Sequence, residues 1–256
     1  MKNSSRKLGL LLMLVTMAFS VQAQQAMFLQ QGRIEYEKRV NLQARMKEMS
    51  GEEESSWSES IRKSMPQYQV TYFNYSFAGN TSLYQPGRDN SAENKTSLWG
   101  EGPAEENVVY SRLDSMQSIS QKKVFEQLFL VKDSIRTIRW KITDETRKIA
   151  GFDCRRANAI IMDSIYVVAF YTEAIITPGG PESFNGLPGM ILGVALPHEH
   201  ITWFATKVLV DDIKEGTIKP PVKGKPVDNK GMSVAVEKSI GKWGNWGKAH
   251  IKAIML

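Results

Sequence analysis

Apolar and polar residues alternate along much of this chain with a period of two, the pattern of half-buried β-strands. Ile34, Tyr36, Val40 and Leu42 alternate with charged neighbours and predict a first strand. Residues 68–77 are aromatic and β-prone, and Ala78-Gly79-Asn80 predicts a turn into a strand at 81–85. Short strands are then expected at 108–113, 117–121, 123–131 and 135–142, the last with Ile138 and Trp140 on one face. Segments 154–162, 165–172, 190–196 and 201–210 complete an antiparallel series, with Asp163-Ser164 as a hairpin turn. Both faces of 165–172 are apolar, so one face should pack in a core while the other is covered or used.

Other stretches depart from this alternation. In 52–64, Glu52, Glu53 and Glu54 sit where a helix dipole favours acids, and Arg62 and Lys63 sit near the opposite end. Trp57, Ile61 and Met65 recur at helical spacing, so this helix is expected to bury one face and cover part of the sheet. The polar stretch 86–104 predicts an exposed loop. Beyond Asp212, Pro220, Pro221 and Pro226 lack backbone donors and should pair poorly. Trp243, Trp246, Ile251 and Ile254 have mostly helical spacings. Gly241, Gly244 and Gly247 each cost such a helix about 1 kcal/mol relative to alanine. The fold class expected is mainly β or α+β: a curved antiparallel sheet or open barrel with one N-terminal helix and a C-terminal tail. The division expected is a β-rich domain at 24–212, then a Pro/Lys-rich connection and tail at 213–256.

Residues 1–23 read as a secretory signal peptide. Lys2, Arg6 and Lys7 precede an apolar run at 8–21, and Val21-Gln22-Ala23 offers a cleavage site with Gln24 as the mature start. The run is short for a bilayer span of about 20 residues, so no membrane span is expected after cleavage. No cysteine stands directly after the run, which argues against a lipid anchor. The expected location is therefore periplasmic or extracellular. The chain carries 33 Lys+Arg against 27 Asp+Glu, a formal +6. It has neither a basic stripe interleaved with aromatics nor a nucleic-acid motif, so no nucleic-acid partner is expected. The single cysteine, Cys154, excludes an intramolecular disulfide and reads as a buried structural thiol.

Candidate chemistry is sparse. The sequence contains no nucleophile triad, phosphate loop or zinc-protease helix signature, so no catalytic residue is assigned and a non-enzymatic role is favoured. In an extended chain, His198 and His200 of His198-Glu199-His200 would share a face and could grip Zn or Cu. A third ligand would have to arrive by folding, from His250, Asp211 or Glu173. The same residues also read as a polar turn after Pro197. A metal-handling or hydrolytic protein built on this cluster is the alternative function. Glu182 and Glu199 could form a catalytic carboxylate pair, but a chain with 27 acids offers many such pairs.

The stretch 177–189 is rich in glycine and proline, and Pro181, Phe184, Gly186, Leu187, Pro188 and Gly189 form its motif loop. Glycine tolerates positive φ and close backbone approach, so Gly186 or Gly189 should use one of these freedoms. Phe184 and Leu187 could rim a pocket, with Trp57, Tyr166 and Phe170 as a possible ligand face.

Gly186-Leu187-Pro188-Gly189-Met190-Ile191 resembles the name-giving peptide of the GLPGLI family, secreted Bacteroidetes proteins of unassigned role, with Met190 where that peptide has leucine. Residues 148–157 are similar to the family's IAGY-x-C-x-x-A element, residues 166–172 to its aromatic strand and 201–210 to its returning strand. Gly32-Arg33-Ile34-Glu35-Tyr36-Glu37 resembles its start. The absence of a catalytic constellation favours an exported binding or assembly protein of the cell envelope, and no cofactor is expected. Its expected partner is an outer-membrane transport component, or an apolar ligand held in a curved sheet.

Overall fold

The computed structural model describes residues 28–50, 55–89 and 104–256. The leader, the acids at 52–54 and most of the polar loop lie outside the described residues.

Strand β1 (Gln31–Asn41) is the seam of a twelve-stranded sheet. On one side a meander runs outward through β2 (Tyr68–Ala78), β3 (Thr81–Pro86), β4 (Val108–Arg112), β5 (Gln117–Val124) and β6 (Gln127–Ser134). The chain then crosses to the far edge as β7 (Lys141–Ile149). It returns through β8 (Phe152–Ile161), β9 (Ile165–Thr172), β10 (Met190–Leu196) and β11 (Ile201–Leu209). β11 closes antiparallel on β1, with Val40 opposite Ile201 and Arg33 opposite Leu209. β12 (Lys225–Val227) adds a short parallel strand outside β6.

The crossover forces the sheet to curl. β6 and β7 stand ten positions apart in the sheet. At about 4.8 Å per strand, a flat sheet would separate them by about 48 Å. Residues 135–140 can reach only about 25 Å between the strand ends. The sheet therefore curves into an open, unclosed shell. Ile135 and Ile138 of the crossover are buried on its inside. These two residues are buried three apart and pair with no strand, so the strand expected at 135–142 begins only at Lys141.

The inner face carries the main core. Ile34, Tyr36, Phe73, Tyr75, Tyr84, Val167, Leu192, Val194 and Trp203 are all buried there. β9 is buried on both faces, as its double apolar pattern requires. Its outer face is covered by β7: the Arg147 guanidinium lies 5.7 Å from the Phe170 ring and 4.7 Å from Phe204. The hairpin turn after β8 falls on Met162 and Asp163, at φ 49° and 60°, one residue before the expected pair.

Four α-helices appear among the described residues, where one N-terminal helix and a helical tail at 234–256 were expected. α1 (Leu42–Ser50) and α2 (Ser56–Ser64) follow β1. α3 (Asn229–Ile240) and α4 (Gly244–Met255) form a C-terminal hairpin. Ser55 caps α2 by accepting from the Ser58 N–H, yet α2 buries no residue and Trp57 is 69% exposed. The expected cover over the sheet is thus not α2. The C-terminal hairpin takes that place, with Met232, Val236, Ile240 and Ile254 packed on Val124, Phe129 and Val131, while Leu256 enters the main core. Replacing Trp57 with alanine should therefore leave thermal stability within about 0.5 kcal/mol of wild type, as a melt would read.

Candidate functional site

The inward phase of β1 reads Ile34, Tyr36, Lys38, Val40, and all four are buried. A lysine on that phase has to point into the core. Lys38 Nζ donates to the Ala104 carbonyl at 3.1 Å and sits 5.8 Å from the Phe73 ring and 5.5 Å from Trp203. β5 repeats the device with Ser120, Lys122 and Val124, all buried. Lys122 Nζ donates to the Ile254 carbonyl at 2.8 Å. In the crossover, Arg136 Nη2 donates to the Met255 carbonyl at 2.6 Å, and its Nη1 has no partner among the described residues.

Glu182, from the motif loop, faces these cations. It is 4% exposed and is held at φ 51°, a left-handed conformation that ordinary residues seldom adopt. Oε2 accepts from Asn107 Nδ2 at 3.0 Å, while Oε1 has no partner among the described residues. The Tyr84 hydroxyl is buried beside the Trp203 indole N–H and the Glu182 carboxylate, and among the described residues neither contact reaches full hydrogen-bond geometry. Burial pushes the Tyr84 phenol well above its ordinary value, and the Glu182 carboxylate adds to the effect. Burial likewise lowers Lys38, with Glu182 and then Glu105 opposing. Lys122 falls to about 8, chiefly through burial; Glu182 opposes, while Arg136 and Lys38 add to the shift.

The Lys122 shift has a measurable sign. Its folded value of about 8 lies below the ordinary 10.5, so above pH 8 the folded state sheds a proton that the unfolded chain keeps. The unfolded state then binds more protons, and stability rises with pH from about 8 toward 10.5. Cys154, pushed up to about 11 from 9.0, acts in the opposite sense above pH 9. A Lys122→Met variant isolates the lysine. The wild-type melting temperature should gain on the variant's between pH 8 and 10, and parallel profiles would rule out a shifted Lys122.

The loop carrying Glu182 is fixed along its length. The Ile191 N–H donates to the Gly179 carbonyl at 2.7 Å, and Met190 N–H donates to Ile175 at 3.1 Å. Trp140 Nε1 donates to the Asn185 carbonyl at 2.8 Å, and the Ser183 hydroxyl donates to the main-chain oxygen of Leu256. Phe184 and Leu187 are buried, with Phe184 edge-on to Trp203 at 5.9 Å, whereas Gly186 and Pro188 are exposed. Pro181 is buried and Gly189 passes under the end of β9. Both motif glycines have positive φ, 88° at Gly186 and 139° at Gly189. Beside Glu182, a pocket lined by Ser82, Ser111, Ser118 and Arg136 offers about 20 Å³ of space, room for a water molecule.

The structure does not gather the other residues singled out in the sequence. Trp57 stands apart on α2, Tyr166 is half-buried and Phe170 is buried under Arg147. His198 and His200 occupy the turn between β10 and β11. There the His200 N–H donates to the Pro197 carbonyl at 3.3 Å. His200, at φ 55°, breaks the extended run that would align the two rings, and its Nε2 lies 3.1 Å from Glu48. Glu199 points elsewhere, to Lys252 Nζ at 2.7 Å. Among the described residues, no three His, Cys, Asp or Glu side chains converge as a metal site. Cys154 is fully buried. A thiol reagent at pH 8 should modify it only as fast as the protein opens, and immediate stoichiometric labelling of the native protein would contradict its burial.

Sequence reasoning missed Lys38, Lys122 and Arg136 as a group. The available signal was phase: a lysine at the inward position of an otherwise apolar alternation.

The match to known families is confined to this region. A family described as a protein of unknown function, Porph_ging, matches residues 160–193, from the end of β8 through β9 and the motif loop into β10. No curated protein matches the chain. Two crystal forms of PNGF-II are similar in structure. One has TM-score 0.50 at 14% identity over 78% of this chain, the other 0.49 at 15% over 77%. The chain spans only 31–32% of the length of those structures, so the likeness concerns the β-rich fold alone.

Proposed function

We propose that the protein is an exported, non-enzymatic binding or assembly protein of the cell envelope, engaging a partner segment on its outer surface. The observation that carries this reading is how the ionisable groups around the motif loop are used. Lys38, Lys122 and Arg136 hold main-chain carbonyls, and Asn107 holds Glu182. Buried charges with shifted titration mark catalytic sites when a cleft exposes them to substrate. Here they tie the motif loop, the crossover and the C-terminal hairpin to one sheet. Within the curved sheet the aromatic and aliphatic residues are packed against each other, which favours a protein segment over an apolar ligand as the partner. An outer-membrane transport component fits the family resemblance.

Photo-crosslinking in envelope fractions tests this. A crosslinker at the exposed Ile160 or Trp57 should trap a discrete adduct containing a transport component, whereas one at the buried Phe170 should not. Recovery of only uncrosslinked protein from every exposed position would overturn the reading.

A further inference from the structure

The charge of this chain is distributed unevenly. Residues 213–256 hold nine lysines against Glu215, Asp228 and Glu237, a formal +6 that equals the net charge of the whole chain. Residues 1–212 therefore net to zero. The positive segment includes the α3–α4 hairpin, whose connection, Gly241-Lys242-Trp243, exposes an indole to solvent.

Trp243 is 50% exposed and Trp246, one turn into α4, is 40% exposed. The β5–β6 turn brings Phe125 to the same end of the molecule, 53% exposed, with its ring 5.5 Å from that of Trp243. Three large, partly exposed aromatic side chains thus lie at one end of the fold. Lys238, Lys242 and Lys248 belong to the same hairpin and are exposed, and none forms an ion pair with a described residue.

We infer that this end of the molecule is a docking surface for an anionic lipid bilayer. Trp and Phe prefer the boundary between headgroups and acyl chains, where the ring is apolar and the indole N–H stays wet. Lysines around such rings keep their ammonium groups among anionic headgroups while their stems lie along the apolar surface. None of the described helices is long and apolar enough to cross a membrane, so the contact is peripheral. A partner protein segment could meet other faces of the sheet while this end rests on the bilayer, and the inference does not depend on that partner.

Vesicle co-sedimentation of the purified protein tests the proposal, using phosphatidylcholine alone and phosphatidylcholine with 30% phosphatidylglycerol. Binding to the anionic vesicles should exceed that to the neutral ones by about tenfold or more at 0.1 M salt and decline as salt is raised. Lys242→Gln with Lys248→Gln should remove most of that preference. Trp243→Ser with Trp246→Ser should weaken binding to anionic vesicles severalfold. The lysine pair lies on exposed positions, so its melt should be unchanged, and the tryptophan pair is compared at a temperature where its melt shows it folded. Any contribution from residues 1–23 is common to all variants and cancels in the comparison. Brominated lipid should quench the wild-type tryptophan fluorescence. Equal binding to both vesicles, or wild-type binding by both variant pairs, would overturn the proposal. So would binding to soluble polyanions without quenching by brominated lipid, which would point to a different macromolecule.

Discussion

Gly189→Val should be among the most damaging single substitutions in the protein, lowering stability by about 4 kcal/mol or more. A Cβ at Gly189 would lie 2.2 Å from the Thr172 carbonyl oxygen and 2.9 Å from its carbon, both backbone atoms that cannot rotate aside. The local φ of 139° is itself unfavourable for a β-branched residue. For a chain of this length the loss corresponds to roughly 10 °C or more in melting temperature. Gly186→Val provides the control. Its φ of 88° carries the backbone cost, but the nearest atom to a new Cβ is Trp140 Nε1 at 3.7 Å, so space is available. That variant should lose only about 1–2 kcal/mol. Equal effects at the two positions would mean that conformation, and not close approach to β9, governs the motif.

Glu182→Gln should cost about 1–3 kcal/mol, because it removes the buried carboxylate that faces three buried cations without pairing directly with any of them. Glu182 is the carboxylate that acts on both Lys38 and Lys122, and the amide replacing it would leave those cations desolvated beside Arg136. Adding Lys122→Met should recover part of the loss, since one of the stranded charges is then gone. A thermodynamic cycle over the two substitutions measures this directly. Additive effects would show that Glu182 and Lys122 do not interact, and the loop would then owe its position to main-chain bonds alone.

These two residues mark where the sequence was legible and where it was not. Strand patterning found β1, β2, β3, β4, β8, β9, β10 and β11 almost to their ends, because each buries one face against a common core. It divided β5 and β6 in the wrong place: Phe125, at φ 52°, makes the turn, and nothing about a phenylalanine announces a left-handed residue. It also assigned a strand to 135–142, of which 135–140 is instead the crossover, with Ile135 and Ile138 buried beneath it. Lys225-Pro226-Val227 pairs in spite of its proline because it lies at the sheet's outer edge, where a missing donor leaves no ladder bond broken. Trp57, Ile61 and Met65 had the spacing of a buried stripe, but spacing states only that residues share a face. The buried polar centre was hidden for a related reason: Lys38, Lys122, Arg136 and Glu182 come from four distant segments, and only the curl brings them together.

The seam between β1 and β11 bears on how the chain can be assembled. Glu35 and Thr206 meet there although they are 171 residues apart. The meanders on either side can form from neighbouring hairpins, which is fast, but joining them must await nearly the whole chain, which is slow. A polypeptide that emerges from its N-terminus would present β1 with one edge open throughout that interval. Such an edge is a template for pairing with another molecule. The outward residues of β1 include Arg33, Glu35, Glu37 and Arg39, charges that discourage edge-to-edge association before the proper partner arrives. Their removal would be felt less in the finished fold than in the yield of folded protein.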